Sequence, residues 1–264
     1  MKVLSVLNLK GGVGKTTASV NIAAVLADAG HLVLVGDVDS QGDASSMLHD
    51  QHETLPHSMA DIFSASGVET GETICRTNEH ENLLLIPADE RLNEFDVSQG
   101  YTSSPQAHCL VDALSELREQ GIAYCVLDCP PRPHLTSFAS LVASDVALVP
   151  VEPSRFSLRS IRRLSHEVLD VQRELNPSLE VRFFLSMFNE RSGTHRSCRD
   201  TLIEAIGEEL VLKTSVPRLA TIDTANSIGQ SVIRYSKKSK AADAFRRLVL
   251  ELTGVQNVQQ KTAA

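Results

Sequence analysis

Residues 10–17, with the sequence Lys-Gly-Gly-Val-Gly-Lys-Thr-Thr, have the residue types and spacing that bind phosphate. Glycines let the backbone direct consecutive N–H groups at phosphate oxygens, and the positive end of a following helix favours the same anion. Lys15 is then placed to reach the β- and γ-phosphates of a nucleotide, and the Thr16 hydroxyl to ligate Mg²⁺. The nucleotide-binding residues predicted in this loop are Gly11, Gly12, Val13, Gly14, Lys15, Thr16 and Thr17.

Acidic residues follow two apolar runs further along the chain. Asp37 and Asp39 come after the run 32–35, and Asp128 comes after the run 123–127. The carboxyl ends of parallel strands form the ligand-binding edge of an open sheet, so these acids are expected beside the phosphate loop. The alternative is that they simply end two strands.

The elements that must position these residues alternate between two kinds of pattern. Continuous apolar runs, typical of buried parallel strands, cover 3–8, 32–35, 83–86, 123–127, 146–151 and 182–188. Helical periodicity covers 16–29, 107–120, 136–143, 158–175, 198–209 and 240–252. This alternation predicts an α/β fold with a single doubly wound, mostly parallel sheet and helices on both faces.

The domain organisation is predicted to be simple. Residues 49–82 and 89–104 are irregular or inserted, but no linker or repeat separates two domains. We therefore expect one domain over residues 1–254, closed by a last helix that Gly254 ends, and a flexible tail over 255–264.

Composition limits the class of protein. The chain is 42% apolar and 22% charged, and no apolar stretch reaches the length of about 18 residues that spans a membrane. The first apolar run leads into glycines rather than a cleavage site, and the five cysteines have no metal-ligand spacing, so a reducing cytoplasm is expected. Residues 1–150 carry 7 Lys+Arg against 20 Asp+Glu, whereas residues 151–264 carry 18 against 13. A basic half permits an anion-binding face.

Residues 10–17 resemble the deviant Walker A box of the ParA/MinD family, K-G-G-x-G-K-T-T. The resemblance implies a P-loop NTPase fold and a nucleotide-sandwich dimer. In that family the first lysine reaches the phosphates bound by the partner. Lys10 is therefore expected to act in trans, together with Lys15, by stabilising charge as the γ-phosphoryl group leaves.

The acidic stretches also resemble the family. Residues 37–42 are similar to its D-x-D-P-Q-G pattern, which implies that Asp39 positions the attacking water and that Asp37 supports the metal shell. Ser40 stands where the family has proline, which removes a restraint on φ. Residues 126–131 resemble its Walker B segment, which implies that Asp128 holds Mg²⁺ through water.

A second departure follows this Walker B segment. Residues 132–134 read Arg-Pro-His where the family has Ser-Leu-Gly. His134 is interpreted as an ordinary surface residue, because a lone loop histidine usually is one.

The resemblance continues through the second half and is greatest to Soj/ParA-type partition ATPases. It implies that Asn189 and Pro217 flank the adenine, and it places Arg191 where these relatives contact the DNA backbone. Thr221 occupies the position of their second arginine. Phosphate contacts need charge and reach rather than one geometry, so nearby arginines can substitute. The predicted DNA-binding residues are Arg191, Arg196, Arg199 and Arg218; a solvated charged face is the alternative. A basic row at Arg155, Arg159, Arg162 and Arg163 is either further DNA surface or paired with Glu167.

The resemblance implies a positioning ATPase that uses ATP and Mg²⁺. Its expected partners are a second copy of itself, non-specific DNA of the nucleoid and a ParB-like or other small adaptor on a cargo such as a plasmid, chromosome origin or carboxysome. We expect no N-terminal helix-turn-helix domain, because the first strand starts at once. The alternative is a MinD-like membrane-associated regulator, but residues 255–264 are too polar for a lipid-binding helix, so no membrane partner is expected.

Overall fold

The computed structural model describes residues 1–50, 55–64, 66–95, 104–154 and 157–256, apart from the side chains of residues 105 and 157–160. Seven strands form one sheet in the order β3-β4-β2-β5-β1-β6-β7, and all neighbouring pairs are parallel except β3 with β4. The strands are β1 Lys2–Val6, β2 Val33–Asp37, β3 Cys75–Arg76, β4 Leu83–Ile86, β5 Tyr124–Asp128, β6 Val146–Val151 and β7 Glu180–Leu185. The predicted mostly parallel sheet is confirmed.

Helices cover both faces of this sheet, as predicted. Side chains alternate along β1, so that Leu4 and Val6 belong to one buried cluster and Val3 to the other. The first cluster is closed by α1, α8, α9 and α10, and the second by α3 to α7. The helices are α1 Lys15–Asp28, α2 Asp43–Leu48, α3 Met59–Phe63, α4 Cys109–Arg118, α5 Leu135–Ala143, α6 Ser157–Glu174, α7 Gly193–Ile206, α8 Ala220–Ser227, α9 Val232–Tyr235 and α10 Lys240–Thr253.

Several predicted boundaries were wrong for local reasons. The strand predicted at 182–188 ends at Leu185, and two residues later Met187 turns the chain with a φ of 53°. The helix predicted from residue 198 begins at Gly193, because the Ser192 hydroxyl accepts a hydrogen bond from the His195 N–H and caps the first turn. The region predicted as irregular contains α3 and the edge strand β3, which pairs antiparallel with β4.

The last helix behaves as its sequence predicts. It ends at Gly254, which has a φ of 73° and caps the helix in the left-handed conformation. Most of the predicted tail, residues 257–264, lies outside the described residues, so the domain boundary at 254 stays a prediction. In the part of the chain that is described, no helix has the length and apolar character needed to cross a bilayer.

Gly36, near the end of β2, offers a test of the core. A Cβ atom there would lie 2.7 Å from Leu127 Cδ2 and 3.0 Å from Met59 Cε, both in fully buried side chains. We expect Gly36→Ala to lower the free energy of unfolding by about 1–3 kcal/mol, because the packed core must shift. Chemical denaturation measures this, with Gly71→Ala as control, since the nearest atom to its Cβ is 3.9 Å away. Equal loss in both variants would contradict the packing argument.

Candidate nucleotide-binding site

The phosphate loop follows the carboxyl end of β1, which lies between β5 and β6 in the sheet. Gly12 and Gly14 have φ values of 70° and 86°, a conformation that glycine adopts without strain. Helix α1 begins directly after Gly14 and has no side-chain cap, so its first N–H groups are left for a ligand at the positive end of the helix. The loop therefore has the backbone conformation that the predicted anion cradle requires.

Lys15 lies inside this cradle. Its side chain is buried, and burial lowers the pKa of the ammonium, while the nearby Asp128 carboxylate opposes that shift. A partly desolvated ammonium interacts more strongly with phosphate than an exposed one would. Thr16 follows on the same turn, within hydrogen-bonding reach of Asp128.

The two buried acids are the last residues of adjacent strands. Asp37 and Asp128 are direct partners in the β2–β5 register. Asp37 accepts hydrogen bonds from the N–H and hydroxyl of Ser45 at 2.8 and 2.7 Å, and Asp128 accepts one from Ser19 Oγ at 2.8 Å. Burial raises the pKa of Asp37 to about 8, with repulsion from Asp128 adding to it, and burial raises the pKa of Asp128 to about 6. Together with the Thr16 hydroxyl, these oxygen donors suit a hard cation such as Mg²⁺.

Asp39 occupies a different position from these two acids. It lies beyond the strand in a tight loop and is only half-buried. Its N–H donates to Asp37 Oδ1 at 3.2 Å, and its own Oδ1 accepts from the Gln41 N–H at 3.1 Å. The loop is tied to β5 by the Val38 N–H, which donates to the Asp128 carbonyl at 3.0 Å. Asp39 is thus a half-exposed carboxylate on a hydrogen-bonded loop, next to the buried acids Asp37 and Asp128 that suit a metal ion but separate from them.

Lys10 lies outside the cradle. Its ammonium pairs with Glu152, which follows β6, and donates to Ser154 Oγ at 3.3 Å. Both charged side chains are about a third exposed, at 31% and 34%. Exposed ion pairs contribute at most about 1 kcal/mol, so Lys10 can leave Glu152 at little cost.

The two predicted adenine residues, Asn189 and Pro217, line the same groove, which has a volume of about 1150 Å³. Pro217 also lines a smaller cavity of about 60 Å³ against the first turn of α1. Asn226, which sequence reasoning missed, lines that cavity and donates from its amide to Thr17 Oγ1 at 2.9 Å.

The same large groove gathers part of the predicted basic surface. Arg191 and Arg218 line it, while Arg196 donates to the Glu190 carbonyl at 2.6 Å and Arg199 pairs with Asp200. Three further basic residues that line the groove are not among the predicted DNA-binding residues: Lys213, Lys240 and Arg247. In the second basic row, Arg162 and Arg163 are exposed, whereas Arg155 and the side chain of Arg159 lie outside the described residues.

One interpretation from the sequence was wrong. His134 is buried, with only 2% of its surface exposed, and its Nδ1 caps α5 by accepting the Thr136 N–H. The departure at residues 132–134 therefore contributes to helix packing as well as to the loop. The available signal in the sequence was that His134 is a polar residue two positions before the predicted helix 136–143, where capping residues occur.

Comparisons with known proteins place the chain in a family. A family model described as AAA domain matches residues 1–181. The sporulation initiation inhibitor protein Soj of Bacillus subtilis is 32% identical over 254 residues, which cover 95% of this chain and 98% of that protein. The chain belongs to the ParA/MinD family of deviant Walker A ATPases.

A second relative agrees with this assignment, and two solved structures share the fold. The chromosome partitioning protein ParA of Caulobacter vibrioides is 29% identical over 266 residues, covering 100% of this chain and 98% of that one. A Cyanothece McdA variant in complex with ATP has a TM-score of 0.84 at 21% identity, with 98% of both chains covered. Cobyrinic acid a,c-diamide synthase of Mycobacterium smegmatis, with bound ADP and magnesium, has a TM-score of 0.76 at 26% identity and 97% coverage of both chains. Because one fold serves such different proteins, the function must be argued from the site.

Proposed function

We propose that the protein is a slow, partner-stimulated ATPase of the ParA type that positions a cargo on DNA. The observation that carries this proposal is the placement of its two signature lysines. Lys15 is buried in the phosphate cradle, whereas Lys10 is held outside it by Glu152. A cation that is held beside a phosphate site only by a partly exposed ion pair suits a site that a second copy of the chain completes, as an arginine finger does in other nucleotide hydrolases.

ATP and Mg²⁺ are the proposed cofactors. The loop residues 11–17 would cradle the triphosphate, and Asn189 and Pro217 would flank the adenine. Thr16 and Asp128 would hold Mg²⁺, with Asp37 supporting its shell. When bound, Mg²⁺ neutralises negative charge that develops on the phosphates during transfer.

The hydrolytic roles follow from the positions of two side chains. Asp39 is half-exposed and held by its loop, so its carboxylate can orient a water for attack on the γ-phosphorus. Lys10 of the partner subunit would stabilise charge on the departing oxygens. Because each site then waits for a dimer and an adaptor, the reaction is slow and works as a timer.

The proposed carrier is non-specific DNA of the nucleoid in the cytoplasm. The proposed adenine residues line the same groove as five basic residues, so nucleotide and DNA would act on neighbouring surfaces. The basic residues are Arg191, Arg218, Lys213, Lys240 and Arg247. Differential affinity of the ATP and ADP states for DNA would supply the switch. One relative is named as a chromosome partitioning protein, which supports a partition role, and the proposed cargo partner is a ParB-like adaptor.

We expect DNA binding to require ATP and to weaken steeply with salt. Between 50 and 200 mM salt, affinity for a labelled random duplex should fall by about 10³-fold or more if some six phosphates are contacted. Fluorescence anisotropy with ATP and with ADP measures this. Arg191→Ala should weaken DNA binding and lower the slope of log affinity against log salt by about one. Arg199→Ala should have a smaller effect on both, because Arg199 is already paired with Asp200.

The outcomes separate two functions. Binding that is insensitive to salt, or absent at low salt, would contradict the DNA-carrier proposal. ATP-dependent binding to anionic liposomes in its place would favour the MinD-like alternative.

A further inference from the structure

The two departures from the family pattern meet at one side chain in the structure. Ser40 Oγ donates to Asn93 Oδ1 at 2.8 Å, and the Arg132 guanidinium donates to the same oxygen at 3.0 Å. We propose that Asn93 is a positioning residue for ATP hydrolysis, which couples the loop that carries Asp39 to the loop that follows Asp128. This inference rests on the proposed function for its effect on the reaction, but the coupling itself can be measured without hydrolysis.

The Asn93 Oδ1 atom accepts one hydrogen bond from each of the two loops. An amide oxygen has two lone-pair positions, and here one takes a neutral hydroxyl and the other a charged guanidinium. Ser40 lacks the fixed φ that a proline supplies, so its hydroxyl bond to Asn93 replaces a covalent restraint with a contact. The restraint on the residue next to Asp39 thereby becomes dependent on a different part of the chain.

Asn93 presents this oxygen from a braced turn, Glu90–Phe95. Its own amide nitrogen donates to the Glu90 carbonyl at 3.0 Å, which fixes the orientation of the side chain. Arg91 in the same turn makes two hydrogen bonds of 2.9 Å to Asp61, which also accepts from the N–H of Ser58, the N-cap residue of α3. The turn is therefore anchored to the core by a paired, multidentate contact.

A buried contact also joins the Asp39 loop to the second residue of α5, the helix that follows the Arg132 loop. Thr136 Oγ1 donates to the Val38 carbonyl at 2.9 Å, one residue before Asp39. The buried link holds the base of the loop, and Asn93 holds the residue on the other side of Asp39. Together with the hydrogen bonds that join Asp39 to Asp37 and Gln41, these two contacts hold the loop on both sides of the carboxylate, and loss of Asn93 releases the Ser40 side.

The consequence for catalysis is specific. The phosphate cradle does not involve Asn93, so loss of this contact should leave ATP affinity unchanged. Placement of the water-orienting acid should suffer, because small misplacements of a catalytic group reduce the rate strongly. The expected signature is therefore a lower kcat with an unchanged KM.

The test compares Asn93→Leu, which removes the acceptor, with Asn93→Asp, which loses the amide donor to Glu90 but keeps an acceptor that pairs with Arg132, and with Glu94→Leu as the matched change on the same turn. We expect kcat for ATP to fall about 3- to 10-fold in Asn93→Leu, of the order of one ordinary hydrogen bond, with KM within about 2-fold. Asn93→Asp and Glu94→Leu should stay within about 2-fold of the parent. Ser40→Ala combined with Asn93→Leu should be no slower than Asn93→Leu alone, because both changes remove the same Ser40–Asn93 hydrogen bond.

Hydrogen–deuterium exchange provides the readout that is independent of hydrolysis. Backbone amides of residues 39–42 and of Arg132 and His134 should exchange faster in Asn93→Leu and not in Glu94→Leu. Unchanged exchange in both loops, an unchanged kcat, or fully additive effects of Ser40→Ala and Asn93→Leu would overturn the inference. If the parent protein binds ATP without hydrolysing it, while exchange responds as expected, the coupling stands and the proposed function fails.

Discussion

Asp39→Ala is expected to lower ATP hydrolysis by about 10²- to 10⁴-fold, the usual contribution of a group that manages the attacking water's proton and position. ATP binding should persist, because the buried acids and the phosphate cradle do not include Asp39. The variant should therefore accumulate as an ATP-bound dimer that stays on non-specific DNA. The loss of hydrolysis is expected because the Asp39 carboxylate of the parent protein is half-exposed on a loop that hydrogen bonds hold in place.

Hydrolysis by phosphate release, mass by light scattering and DNA retention by anisotropy measure the three parts of this prediction. Asp43→Ala is the matched control, since Asp43 is an exposed acid in the first turn of α2, a few residues away. It should hydrolyse ATP at close to the parent rate. If Asp39→Ala remains monomeric with ATP, its assignment as the water-positioning acid is wrong.

Lys10→Ala is expected to lower hydrolysis by about 10³-fold or more, the range seen when a charge-stabilising finger is removed. Each protomer should still bind ATP, because Lys10 lies against Glu152 and outside the cradle. Lys15→Ala should instead lose ATP binding, because its buried ammonium lies within the cradle. Calorimetry of nucleotide binding beside a hydrolysis assay separates the two lysines.

The matched control for Lys10→Ala is Lys238→Ala, which removes an exposed lysine between α9 and α10. It should leave both binding and hydrolysis unchanged. Loss of ATP binding in Lys10→Ala would contradict its placement outside the cradle. An unchanged rate would contradict any role for Lys10 in the reaction.

The sequence predicts those parts of the site that one continuous segment builds. The cradle, Lys15 and Thr16 lie within eight residues, and a strand before them with a helix after them sets their geometry. Apolar runs likewise predict which strands are buried and parallel. The acids at the ends of β2 and β5 follow from the same rule, because parallel strands end at one edge of a sheet.

Contacts between polar side chains that are distant in sequence were not predictable. Glu152 lies 142 residues from Lys10, and Asn93 lies 53 residues from Ser40, so no local period links them. Sequence comparison marked Ser40 as a departure but gave no reason why its loop stays ordered. Only the fold places Arg132 and Asn93 beside it. The same limit hid β3, a two-residue edge strand that exists through its pairing with β4.

The central claim is that Lys10 completes the site of a second subunit, and mixing two inactive variants tests it most directly. Lys10→Ala retains a complete site of its own but donates no lysine, whereas Asp39→Ala has a defective site but donates Lys10. In an equal mixture, half of the dimers should pair one of each, and one of their two sites is whole, so roughly a quarter of the parent activity should return. No recovery above the two separate variants, with mixed dimers shown to form, would contradict action in trans.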